Sequence, residues 1–210
     1  MLGFVKDHFV YIKCPKNGCM TYSTFLSQNG WTEINLFEND LDFNQCVLWG
    51  HLTEPHMRHT RGVEQYLRNN PDIDFNDPKI EKLLVSGVFD EHTYGLHMTL
   101  GHIMQYPITW IPLDAQIIKY NSYPTPIETL SGDDITNDFF QEHNIDLKIA
   151  SNQRLNVSLD HSIRNRITYL KEMHYDNYQK LVKNFLEPDL LLYRKTLDFY
   201  RKKYELIDQL

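Results

Sequence analysis

A chain of 210 residues, 41% hydrophobic and 23% charged, is long enough for one buried core and short for two. A single domain spanning residues 1–210 is expected, and disorder is not. The formal net charge of −7 argues against a general nucleic-acid binder, which needs a local surplus of Lys and Arg, but it leaves room for a small anion in a basic pocket.

The N-terminus, Met1 to Asp7, lacks a basic region followed by an apolar core, and no stretch nears the roughly 18 apolar residues of a bilayer span. A soluble, cytoplasmic chain without membrane or nucleic-acid partners is the expectation.

The first predicted strand is Phe9 to Ile12, and it runs into CPKNGCMTYSTFL, Cys14 to Leu26. A strand that enters a glycine-containing turn and then a helix gathers backbone N–H groups, and the helix N-terminus adds partial positive charge. Gly18 lets the backbone approach a phosphate, Lys16 supplies a mobile ammonium, and Thr21 supplies a hydroxyl near the first turn. The stretch is not a Walker A loop, because that motif places lysine after its second glycine, whereas Lys16 precedes Gly18. The bland alternative is a lysine beside the turn that ends a strand.

A second strand is predicted at Cys46 to Trp49, followed by GHLTEPHMRHTRGVEQYL, Gly50 to Leu67. Arg58 and Arg61 stand one helical turn apart, so they either face one dianion together or lie on a solvated helix face. His51, His56 and His59 are close in sequence but fit no standard ligand spacing, so no metal is expected. Cys14, Cys19 and Cys46 form an odd set without a CxxC pair, which points to reduced thiols.

NNPDIDFNDPK, Asn69 to Lys79, reads as a long surface loop. In FDEHTYGLHMTLGHIMQYPITWIPLD, Phe89 to Asp114, the run Asp90-Glu91-His92 places imidazole beside carboxylate, a pairing suited to general-base work. His92 is the preferred base, Glu91 is its alternative, and an ordinary polar loop pair is the bland reading.

A third strand is predicted at Gln116 to Tyr120. Strands alternating with helical segments imply an α/β fold with a central, mainly parallel sheet flanked by helices. The clearest helix carries Ile163, Ile167, Leu170, His174, Tyr178, Leu181 and Phe185 at intervals of three and four, and is expected to end near Glu187-Pro188. His174, inside that apolar stripe, reads as a partly buried structural histidine.

PKNGCMT resembles the PKxGxT-type 5'-phosphosulfate loop of sulfotransferases, especially the Golgi-type carbohydrate sulfotransferases. The segment after the second strand is similar to that family's R-D-P-x-x-R-x-x-S element for the 3'-phosphate, with Glu54-Pro55 and Arg58 in register. Thr53 stands where the family has its first arginine, and Arg61 where it has serine. Asp90-Glu91-His92 resembles the family's acceptor-side loop, RLNVS at Arg154 to Ser158 its K-x-N-x-S element, and EPDLLLY at Glu187 to Tyr193 its D-x-x-L-Y end. The similarity covers roughly residues 9 to 200 as ordered islands.

The resemblance implies a P-loop-like three-layer fold, the donor 3'-phosphoadenosine 5'-phosphosulfate (PAPS), the product adenosine 3',5'-bisphosphate (PAP), and an acceptor hydroxyl on a glycan or small molecule. Lys16, Asn17, Gly18, Cys19, Met20, Thr21, Tyr22, Arg58, Arg61, Arg154, Asn156 and Ser158 would hold the donor, with Lys16 and either His92 or Glu91 catalytic. Two other readings are a P-loop-like phosphotransferase, with Asp114 or Asp90 on magnesium, and a nucleotide- or glycan-binding module without catalysis.

Overall fold

The computed structural model describes residues 1–74, 76–114, 117–119, 128–150 and 161–207. The chain divides into two compact units. The first takes in Met1–Glu54, Gln105–Asn156 and Leu192–Leu210, and the second takes in Pro55–Met104 and Val157–Leu191.

The first unit is built on a five-stranded sheet, in which β1 (Leu2–Lys6), β2 (Phe9–Ile12), β3 (Thr32–Asn35), β4 (Val47–Leu52) and β5 (Ile108–Pro112) lie in the order β3-β1-β2-β4-β5. β2 pairs with β4 in parallel, Tyr11 opposite Trp49, and β4 pairs with β5 in parallel, Trp49 opposite Thr109. The sheet is α/β as expected but mixed, because β1 runs antiparallel to both β2 and β3. The cause is a tight β1–β2 hairpin, in which Asp7 takes a left-handed φ of 54°.

All four residues of β2 are buried, which explains its unbroken apolar run. On one face Tyr11, Trp49 and Phe4 form a core with Tyr22, Phe25 and Leu26 of α1 (Cys19–Gln28), and with Ile135, Phe139 and Phe140 of α5 (Gly132–Glu142). Each such side chain contributes about 1.5–3 kcal/mol on full burial. Ser131 starts α5 with a capping box to Asp134. The predicted strand at Gln116 to Tyr120 corresponds to β6 (Ile117–Lys119), which pairs with β7 (Glu128–Leu130) in a separate two-stranded ribbon rather than joining the main sheet.

The second unit is helical. It holds α2 (Pro55–Asn69), α3 (Pro78–Ser86), α4 (Leu96–Leu100), α6 (Ser162–Met173), α7 (Tyr175–Leu181) and the start of α8 (Glu187–Ile207). Val63 and Leu67 of α2, Leu84 of α3 and Ile167 of α6 share one apolar cluster. Asp77 caps α3 by accepting from the Lys79 amide, with Pro78 just inside the helix, so the loop expected over Asn69 to Lys79 closes one residue before Pro78.

The long helix expected through Phe185 is interrupted at His174, which closes α6 and opens α7. Nor does Pro188 end it. A π-helical turn at Val182–Leu186 widens the backbone just ahead of the proline, accommodating both the ring and the missing N–H, and the chain continues as α8. Among the described residues no helix is long and apolar enough to cross a membrane.

Candidate functional site

Strand order places a topological switch in the first unit. From β2 the chain passes through α1 to β3 on one side of the sheet, and from β4 it goes to β5 on the other. The carboxyl ends of β2 and β4 therefore flank the crevice where open α/β sheets bind ligands.

The loop at that position is Cys14 to Gly18. Asn17 N–H donates to the Cys14 carbonyl at 3.3 Å, closing a turn with Pro15 second and Lys16 third. Lys16 has φ 63°, the left-handed value that a type II turn requires at its third residue. Lysine there carries strain of about 1–3 kcal/mol, the kind that persists where surrounding contacts enforce it. The enforcing residue is Thr53, just past β4. Its amide donates to Asn17 Oδ1 at 2.9 Å and its hydroxyl to the Lys16 carbonyl at 3.2 Å. Thr53 is buried, so this departure from the arginine of the resembled element serves as a loop clamp.

Asn17 is fully buried, and its Nδ2 has no hydrogen-bond partner among the described residues. Gly18 is the N-cap of α1 at φ 71°, ψ 11°, with no side-chain cap and no acidic residue in the first turn. A Cβ on Gly18 would meet Leu113 Cδ1 at 2.7 Å. Cys19 is half-buried, Met20 is exposed, and Thr21 and Tyr22 are buried. The loop rim is thus accessible around Lys16 and Cys19.

Behind the loop lies a buried polar network. The Tyr22 hydroxyl donates to Asp133 Oδ1 at 2.8 Å, and the Tyr22 ring stacks on His51 with centroids 3.7 Å apart. His51 Nε2 lies 3.0 Å from Thr136 Oγ1. Burial lowers the His51 pKa to about 3, so the imidazole is neutral. At the end of β5, Asp114 accepts from the Glu54 amide at 3.1 and 3.0 Å and from the Tyr193 hydroxyl at 3.2 Å. Burial, with Asp114 beside it, raises the Tyr193 pKa.

The second unit holds the remaining predicted residues. Arg58 is buried and its Nη1 donates to the Tyr94 carbonyl, whereas Arg61 lines a groove on which Arg58 does not border. Of the two arrangements that their spacing left open, neither a joint grip nor a shared solvated face describes Arg58, which is buried at the Tyr94 carbonyl. Helical neighbours can diverge when one of them is drawn to a backbone carbonyl.

His92 Nδ1 lies 3.1 Å from Asp90 Oδ2, and its amide donates to Asp90 Oδ1 at 3.1 Å. Asp90 is thus the orienting carboxylate, and Glu91 is exposed. Sequence reading named Asp90 in this run but paired His92 with Glu91, because the carboxylate two positions back reaches the imidazole only through a turn, here fixed by Thr93 Oγ1 accepting from the Phe89 and Asp90 amides. Gly62 of α2 permits that turn's approach, since a Cβ there would collide with the His92 carbonyl and lie 3.1 Å from Thr93 Cα.

A second such pair escaped the sequence reading. Asp189, 3% exposed, accepts from the Leu96 amide at 2.5 Å and from the His97 amide, and lies 3.0 Å from His97 Nδ1. His59 is buried against the Gly87 carbonyl at 3.2 Å, and burial together with nearby Lys171 lowers its pKa to about 3. His51 belongs to the first unit, and His56 and His59 to the second. Among the described residues no three His, Cys, Asp or Glu side chains group as metal ligands. Arg154, Asn156 and Ser158 lie outside the described residues. No family model matches the chain, and neither a curated protein nor a solved structure does.

Proposed function

We propose that the chain is a PAPS-dependent sulfotransferase that binds the phosphosulfate end of its donor at the Lys16 to Tyr22 loop. The observation that carries this reading is the clamped turn at the switch point, with strained Lys16 and left-handed Gly18 on either side of Asn17 at a helix start without a side-chain cap. Asn17 supports the fit. A buried amide without an acceptor costs about 1–3 kcal/mol, which a bound anion that shifts the loop would relieve.

Sulfuryl transfer resembles phosphoryl transfer, so catalysis is mainly positioning and electrostatic stabilisation. Lys16 stabilises charge on the leaving phosphate, and the main chain from Gly18 to Thr21 holds the 5'-phosphate. The base expected from the sequence, His92, belongs to the second unit, where Asp90 holds its Nδ1 at 3.1 Å and leaves Nε2 as the proton-accepting nitrogen. Glu91 drops out of that role, being exposed and not the carboxylate on the imidazole. The donor site in this reading uses neither Arg58, whose guanidinium is turned to the Tyr94 carbonyl, nor Arg61, which lines a groove of the second unit.

The phosphotransferase reading needs a carboxylate for magnesium at a strand end. Asp114 stands there, but both its oxygens accept from the Glu54 amide and one also accepts from Tyr193, which favours a structural role.

The test is single-turnover transfer from PAPS to a panel of hydroxyl acceptors, comparing the wild-type chain with Lys16→Ala. A loss in the chemical step larger than the loss in donor binding supports the assignment, because the Lys16 contact then strengthens as charge develops. Magnesium-dependent ATP turnover, or tight PAP binding with no product from any acceptor, would replace it with one of the other two readings.

A further inference from the structure

The second unit contains a groove of about 550 Å³, within the roughly 300–1,000 Å³ of small-molecule sites. It lies among α2, α6 and α7, and the donor reading above does not use it. Three cations line it, Arg61 from α2 and Arg164 and Lys171 from α6, and Glu172 is the acid opposed to them among the described lining residues.

Two of the cations are held in place. Lys171 is only 7% exposed, and its ammonium donates to the His56 carbonyl at 2.9 Å and to Thr60 Oγ1 at 2.7 Å, lying 4.5 Å from the centre of the Tyr178 ring. Arg164 is fastened through Nε to the buried Glu64 carboxylate, which also accepts from Arg68 at 2.8 Å. The Arg164 Nη groups make no hydrogen bond among the described residues. A guanidinium anchored at one edge and open at the other is pre-organised for an ester oxyanion.

The other walls fit something larger than a bare ion. Tyr175, 60% exposed, offers an aromatic face, while Thr168 and Gln179 add a hydroxyl and an amide able to bond ring hydroxyls. We propose that this groove binds a sugar-sized ring bearing a phosphate or sulfate monoester. The ester meets Arg61 and Arg164, with the buried Lys171 adding positive charge behind the wall, and the ring lies against Tyr175. This site requires nothing of Lys16 and stands apart from the donor reading.

Calorimetry on the full chain tests it with glucose 6-phosphate, glucose 6-sulfate, glucose and inorganic phosphate. At least one ester is expected to bind about tenfold or more tightly than either glucose or inorganic phosphate. The better ester identifies which anion the groove prefers. Arg61→Gln should weaken ester binding by about tenfold, and Tyr175→Ala should weaken the esters but not inorganic phosphate. Both side chains lie at the groove's accessible wall, so these variants are expected to fold, and Lys16→Ala should leave ester binding unchanged. Glucose or inorganic phosphate binding as tightly as the esters would overturn the proposal, as would ester binding indifferent to Arg61→Gln or abolished by Lys16→Ala.

Discussion

The two units fix their polar groups in different ways. In the first, the loop at the end of β2 is held through the backbone: the Thr53 amide and hydroxyl grip Asn17 and Lys16, and Asp114 grips the Glu54 amide. In the second, side chains pair with one another across helices, Arg164 with Glu64 and Arg166 with Glu81. Helices satisfy their own main chains except at their ends, so a helical unit must build recognition from side chains. Strand ends leave amides and carbonyls available, and there a loop's shape becomes the recognition element.

The largest expected effect sharpens the chemical side of this contrast. His92→Gln should lower single-turnover transfer by about 10²–10⁴-fold, the usual contribution of a positioned base, with PAP affinity unchanged in calorimetry. Asp90→Asn should lower it less and should alter the pH–rate profile, since it removes the carboxylate that orients Nδ1. An unchanged rate in His92→Gln would remove His92 from the chemistry.

Acid should expose a weakness that both units share. His51 and His59 have pKa values lowered to about 3 by burial, against 6.5 in the unfolded chain, so both are neutral in the fold. Their contribution to stability is complete above pH 6.5 and is lost as pH falls toward 3, by about 1.4 kcal/mol per pH unit for each imidazole. Denaturant unfolding followed from pH 7 to 4 should show this slope. His51→Gln and His59→Gln should each flatten it by about half, and a slope unchanged in either variant would contradict the buried neutral assignment for that unit.

Gly62→Ala should destabilise by about 1–3 kcal/mol, because the added methyl runs into the backbone of the His92 turn rather than into a movable side chain. Its midpoint in urea measures this, and a neutral result would mean that the turn yields easily. Thr53→Val is the mildest case. It removes only the hydroxyl bond to the Lys16 carbonyl and should cost about 1 kcal/mol. Donor affinity should fall with it if the clamp maintains the strained turn.

The sequence disclosed the parts of the fold that depend on local pattern. β2, β4 and the apolar stripe of α6 and α7 were legible because burial on both strand faces and helical spacing leave direct traces. β1 was not, since its hairpin turns at Asp7-His8 without the glycine that usually marks a two-residue turn. Pro188 misled because the π turn before it is a property of the backbone and not of any residue signature. At the site, Gly18 was legible as a residue suited to a left-handed turn. The Thr53 clamp, the Asp90 contact with His92 and the Asp189 contact with His97 depend on how side chains turn in space, which spacing alone does not reveal.

The central claim is that the Lys16 to Tyr22 turn receives the charged end of an adenylate donor. Calorimetric titration with PAP, set against AMP and ATP in wild type and in Gly18→Val, addresses it most directly. The account predicts that PAP binds at least about tenfold more tightly than either nucleotide, and that a folded Gly18→Val chain loses this binding because a side chain fills the turn. PAP binding no tighter than AMP, or undiminished in Gly18→Val, would contradict it.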